Sequence, residues 1–159
     1  MSNSYNSSAS PIYQKESRLI ERALRCLENR INYDSKLLNN SEVVSSYLRL
    51  NFAGEKNEVF AVLFLNSSHS LIAFEKLFYG TINEAAIYPR VVVQKALEHN
   101  AAAVIVAHNH PSGDCKPSFA DQEITRRLKD ALSLIDIRLI DHMVVTLQNT
   151  FSFAEHGLL

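Results

Sequence analysis

Residues 101–121 read AAAVIVAHNHPSGDCKPSFAD. The first seven are apolar at every position, as in a strand of an α/β sheet that is covered on both faces. The run stops at His108 and gives way to HNHPSGDCKP, rich in turn formers, with Pro-Ser-Gly at its centre. Polar chemistry then crowds the strand's carboxyl end, where open α/β sheets commonly build their sites.

Working outward, the same logic assigns the neighbours. FADQEITRRLKDALSLI, from Phe119, repeats Ile124, Leu128, Ala131 and Leu132 at helical spacing, and Ser118 is placed to cap it. Upstream, Pro89 stands just before VVVQKALEHNA, a helix whose inner face is Val92, Val93, Ala96 and Leu97. EVFAVLFLN opens on Glu58 and is apolar from Val59 to Leu65, which predicts an inner strand. SSH turns the chain, and SLIAFEKLFYG returns as the second strand of a hairpin. IRLIDHMVVTL predicts one long strand or a strand pair, and TFSFAEHG a final strand. The order predicts an α/β fold: a mixed β-sheet sandwiched by helices.

Before this lie residues 1–11, Ser- and Asn-rich and expected to fray, and a helical segment over 12–50. In the latter, Leu19, Ile20, Ala23, Leu24, Leu27 and Ile31 share one face of a helix, and Ser41 can cap a second, EVVSSYLRL. That amphipathic face suits an interface as well as an intramolecular core, so oligomeric state is left open. NFAGEKN reads as a loop, and the domain proper is expected over 51–159.

His108 and His110 are two apart, so in an extended segment both side chains point the same way. Asp121, in the first turn of the next helix, comes close if the loop folds back. Two imidazoles and a carboxylate leave one tetrahedral position open, the pattern of a catalytic zinc. Nitrogen ligands favour Zn2+ over magnesium. Ordinary chemistry explains the same letters: Ser118 and Asp121 resemble a capping box, and the histidines can be hydrogen-bonded loop residues. Spacing alone leaves both open. Asn109 reads as a loop former, and Cys115 as a thiol without a partner cysteine nearby.

Composition excludes other classes. With net charge −1 and no run of Lys and Arg, affinity driven mainly by phosphate neutralisation is not supported. Two cysteines, Cys26 and Cys115, build no disulfide framework and point to a reducing compartment. No apolar stretch reaches the roughly 20 residues of a membrane span, and the opening MSNSYNSSASP lacks the core of a signal peptide. A cytoplasmic location is expected.

HNHPSGDCKPSFAD resembles the JAMM (MPN+) metalloprotease motif, in which His-x-His-Pro is followed by Ser and, three residues on, Asp. More narrowly it resembles the RadC family, whose HNHPSG, PS and Asp are all met here. GTINEAAIYPR upstream and DHMVV downstream resemble two further segments of that family. The resemblance runs from Glu58 to the C-terminus. It implies a JAMM/MPN, cytidine-deaminase-like architecture and zinc bound by His108, His110 and Asp121. It further implies Glu58 as general base toward the zinc water, with Glu55, Glu75 and Glu84 as rivals, and Ser118 as the residue that hydrogen-bonds the developing oxyanion or positions the water. Asp141 and His142 could orient a ligand from behind.

The function implied is a zinc metallopeptidase or isopeptidase acting on an unnamed protein or peptide. A DNA-repair accessory is the alternative, weakened by the neutral charge and by the absence of a Gly-rich hairpin before the domain. A metal-retaining binding module is the third reading. Val91 stands where many family members have Glu after the Pro-Arg pair. HNH nucleases, amidohydrolase barrels and zinc deaminases fail on spacing, length and the missing PCxxC respectively.

Overall fold

A computed structural model describes residues 11–33, 41–80 and 87–159. Residues 1–10, most of the stretch expected to fray, and Thr81–Ala86 of the GTINEAAIYPR segment, with the rival Glu84, lie outside the described residues. The elements are α1 (Pro11–Tyr33), α2 (Ser41–Phe52), β1 (Val59–Leu65), β2 (Leu71–Tyr79), α3 (Pro89–Glu98), β3 (Ala103–Asn109), α4 (Phe119–Ser133), β4 (Arg138–Val145) and β5 (Thr150–Ser152).

The sheet runs β2-β1-β3-β4-β5. All neighbours are antiparallel except β3 and β4, which α4 joins as a parallel crossover. β1 and β3 are inner strands, buried at every residue, because helices cover both faces. Val59, Ala61, Leu63 and Leu65 meet Val44, Tyr47, Leu48 and Phe52 of α2. Phe60, Val62 and Phe64 meet Val92 and Ala96 of α3 and Ile124, Leu128 and Leu132 of α4. This is the mixed α/β sandwich expected from the pattern.

Several local readings change. Asn51 and Phe52 extend α2 rather than opening a loop, since Phe52 buries itself in the core. Pro89 is the first residue of α3, where its fixed φ suits the helix and its missing N–H costs nothing. Leu97 is 58% exposed, on the flank of the Val92–Ala96 stripe. α1 reaches the core through Leu24 and Leu27 and through Tyr47 Oη, which donates to Glu28 at 3.1 Å; Leu19, more than a turn upstream, is 67% exposed. IRLIDHMVVTL forms one strand. TFSFAEHG forms only three strand residues before turning, because the Ala154 N–H and the Ser152 hydroxyl both donate to the Asp141 carboxylate.

Candidate metal centre

Three elements converge at the carboxyl end of β3. Phe60 pairs with His108 in the antiparallel β1–β3 ladder, so continuing the register sets Glu58 opposite His110. The ladder toward β4 also continues past β3, with the His110 N–H donating to the Val145 carbonyl at 2.9 Å. His108 and His110 therefore share a face. Asn109 points the other way and is buried, so it is a strand residue and not a loop former.

The loop then folds back. Gly113, with φ +88°, turns it through a conformation that favours glycine, and its N–H donates to the His110 carbonyl at 3.1 Å. The Asp114 carbonyl consequently meets His110 Nδ1 at 2.7 Å. A carbonyl only accepts, so Nδ1 carries the hydrogen and Nε2 of the neutral ring is a bare lone pair.

That Nε2 lies 3.0 Å from His108 Nε2. Asp121 flanks the pair, Oδ1 at 3.3 Å from His108 Nε2 and Oδ2 at 3.8 Å from His110 Nε2. Glu58 flanks the other side, Oε1 at 3.6 Å from His110 Nε2. Among the described residues, Glu58, His108 and His110 form a candidate metal-binding triad, one ligand atom from each lying within 4.8 Å of the others. Neighbouring ligands of a tetrahedral zinc at 2.0–2.1 Å stand about 3.4 Å apart, and the observed separations bracket that value. The residues present thus fit a divalent metal in number, type and spacing.

Asp121 answers the opening alternatives in an unexpected way, because it also completes the capping box. Its Oδ2 accepts the Ser118 N–H at 2.7 Å and the Ser118 hydroxyl at 2.6 Å, while its own N–H donates to Ser118 Oγ at 3.1 Å. Oδ1 is left for His108. Burial works to raise the Asp121 carboxyl, but the hydrogen bond and charge of His108 and the Ser118 bonds outweigh it and hold the group well below the usual carboxylate range. The Ser118 hydroxyl hydrogen is committed to Asp121 in this arrangement.

Of the rivals to Glu58, Glu55 pairs with Lys76 at 2.6 Å and Glu75 with His99 and Lys95. Neither belongs to the converging group. Cys115 is half-buried in the loop and contributes no atom to that group.

Behind the site sit two residues, one foreseen only as a possibility and one missed. His142 Nε2 lies 2.8 Å from His108 Nδ1, and His142 Nδ1 lies 2.6 Å from Thr125 Oγ1. Thr125 occupies the buried stripe of α4 beside Ile124, a polar residue among apolar ones, which is the only signal the sequence carries for it. Asp141 faces the opposite side of β4, alongside Met143. Beside His110 a cleft of about 560 Å³ opens between the end of α2 and the β4–β5 turn, lined by Arg49, Phe52, Lys56, Gly113 and Leu147 among others.

Comparison with known proteins adds the family. Residues 38–158 match the family model described as RadC-like JAB domain. A UPF0758 protein of Vibrio cholerae is 53% identical over 144 residues, 91% of this chain and 90% of its own length. The UPF0758 protein YeeS of Escherichia coli is 50% identical over 144 residues, covering 91% of this chain and 97% of its own. A longer UPF0758 protein of Stenotrophomonas maltophilia is 51% identical over 140 residues, of which this chain spans 60%. With the motif, the fold and these relatives in agreement, the chain belongs to the RadC family as a RadC-like JAB domain.

Proposed function

We propose that this chain is a zinc-dependent hydrolase of the JAMM type, cleaving an amide bond in a peptide or isopeptide. The supporting observation is the pair of imidazole Nε2 atoms 3.0 Å apart between two carboxylates. His108, His110 and Asp121 are assigned as ligands. Asp121 is the better third ligand than Glu58 because His108 and Ser118 already hold it ionised and oriented.

A divalent metal bound there supplies a water of lowered pKa, about 7, and polarises a carbonyl. Glu58 stands at the mouth of β1 on the same face as both histidines, where it can accept a proton from water and pass it to a departing amine. Ser118 would turn its hydroxyl from Asp121 Oδ2 toward the developing oxyanion while its oxygen continues to accept the Asp121 N–H. The cleft beside His110 offers room for the substrate chain leading to the site.

The test pairs wild type with Glu58→Gln and scores metal content and cleavage of mixed peptide and isopeptide substrates. The proposal expects turnover in wild type and a loss of about 10²- to 10⁴-fold in the variant at unchanged metal content. Equal turnover in both would remove Glu58 from the chemistry. Metal bound without turnover on any substrate would leave the binding-module reading.

A further inference from the structure

Three hydrogen bonds run in series behind His108, on the side away from His110. His108 Nδ1 lies 2.8 Å from His142 Nε2, His142 Nδ1 lies 2.6 Å from Thr125 Oγ1, and Thr125 Oγ1 lies 2.5 Å from the Asp121 carbonyl oxygen. The last bond sets the direction of the others. A carbonyl cannot donate, so the Thr125 hydroxyl must donate to it. Thr125 Oγ1 is then the acceptor for His142 Nδ1–H. A neutral imidazole carries a single N–H, so His142 Nε2 is bare and accepts from His108 Nδ1–H. With Nδ1–H committed to His142, Nε2, the atom that faces His110 and Asp121, is the His108 nitrogen that gives up its hydrogen when a cation binds.

Each member of the series is held from its other sides. Thr125 and His142 are buried, at 2% and 0% exposure. The His142 ring stacks on Phe153 with centroids 4.6 Å apart and meets Phe60 edge-on at 5.7 Å, so its plane has no freedom to turn. One hydrogen on the His142 ring satisfies both of its nitrogens, Nδ1 toward Thr125 and Nε2 toward the His108 Nδ1–H. Among the described residues no buried side-chain donor or acceptor lacks a partner.

We propose that Thr125 and His142 are positioning residues that preset His108 as a metal ligand, selecting the tautomer with a bare Nε2 and fixing the ring. The inference rests on the metal site assigned above. Because the series ends on the Asp121 backbone, it ties one ligand on β3 to another on α4 through β4, and neither can shift without the other. Outer hydrogen bonds of this kind typically change metal affinity by about 10- to 100-fold when removed.

The experiment measures zinc affinity by competition with a chelating dye for wild type, Thr125→Val, Thr125→Ser and His142→Phe. Thr125→Val keeps the shape and removes the acceptor for His142; His142→Phe keeps the stack on Phe153 and removes Nε2. Both should bind zinc about 10- to 100-fold more weakly, and Thr125→Ser should stay within about threefold of wild type. Long-range proton–nitrogen NMR of zinc-free wild type should show His142 hydrogenated on Nδ1, a signature that needs neither zinc nor a variant. His142 hydrogenated on Nε2, or folded Thr125→Val and His142→Phe binding zinc as wild type does, would overturn the relay. Wild type that takes up no zinc sinks the metal site itself, and the tautomer spectrum still decides the direction of the series.

Discussion

The Asn109 carboxamide grips the chain on both sides of Glu58: its Oδ1 accepts the Val59 N–H at 2.7 Å, and its Nδ2 donates to the Asn57 carbonyl at 3.0 Å. The residue between the two histidines therefore sets the backbone that presents the carboxylate opposite them. Asn is the residue type that supplies one acceptor and one donor at this spacing. Asn109→Asp is nearly isosteric but turns an oxygen toward the Asn57 carbonyl, and Asn109→Leu abandons both bonds in a buried site. Each should cost about 2–3 kcal/mol in urea unfolding: Asn109→Leu because the buried Val59 N–H loses its acceptor, and Asn109→Asp because a carboxylate oxygen is set against the Asn57 carbonyl. Stability of Asn109→Asp within about 0.5 kcal/mol of wild type would show that the grip is dispensable.

Ser118 and Asp121 separate the cap from the ligand. Ser118→Ala removes the hydroxyl that accepts the Asp121 N–H and should cost about 1 kcal/mol, with zinc content unchanged. Asp121→Ala loses the cap and also the oxygen facing His108, so it should both destabilise α4 and lose zinc. Elemental analysis of the two variants, alongside thermal melts, distinguishes them. If Asp121→Ala kept its full zinc content, Glu58, the other carboxylate of the group, would become the third ligand.

Much of this was legible in the sequence because its cause was local. The apolar runs from Val59 to Leu65 and from Ala103 to Ala107 are buried on both faces because helices cover both. The two-residue spacing of His108 and His110 survives because the ladder to β4 keeps His110 extended. Glu58 becomes distinguishable from Glu55 and Glu75 only once the β1–β3 register is known, and no single strand contains that register. Thr125 and Asn109 were hidden for the same reason. Their partners lie 17 and about 50 residues away, and only the assembled sheet brings them within hydrogen-bond reach. Leu19 and Leu97 show the converse error, where helical spacing continues an apolar face beyond the point at which the partner surface ends.

Asp141 gives a pH dependence of known sign. Burial raises its carboxyl above the ordinary value of about 3.9, and bonds from the Ser152 hydroxyl and the Ala154 and His142 N–H groups recover only part of the shift. The folded state therefore holds this proton more tightly than the unfolded chain. Its contribution is fully present below the unfolded value and is lost as pH rises through the raised one. Asp141→Asn has no such titration. The stability advantage of wild type over this variant should shrink between pH 3.5 (roughly below the unfolded value) and neutrality. An advantage that grows with pH in paired urea melts would mean that the carboxylate, and not the acid, is the form the fold prefers.

The facing Nε2 atoms of His108 and His110 also make a prediction about stability that needs no substrate. With His110 hydrogenated on Nδ1 by the Asp114 carbonyl, bringing a bare Nε2 to 3.0 Å from another imidazole nitrogen and beside two carboxylates is unfavourable until a cation lies among them. A shared proton relieves one contact; a divalent ion relieves all of them. Zinc should therefore stabilise the folded state far more than protonation does, by about 2.7 kcal/mol at a free concentration 100 times its dissociation constant. His110→Ala should abolish that increment, because it removes one nitrogen and leaves His108 and Asp121 as an ordinary pair. Thermal melts with and without zinc at constant pH read the difference directly. An equal zinc-induced rise in wild type and His110→Ala would place the binding elsewhere on the chain, and the convergence of the two histidines would then be a matter of sheet register alone.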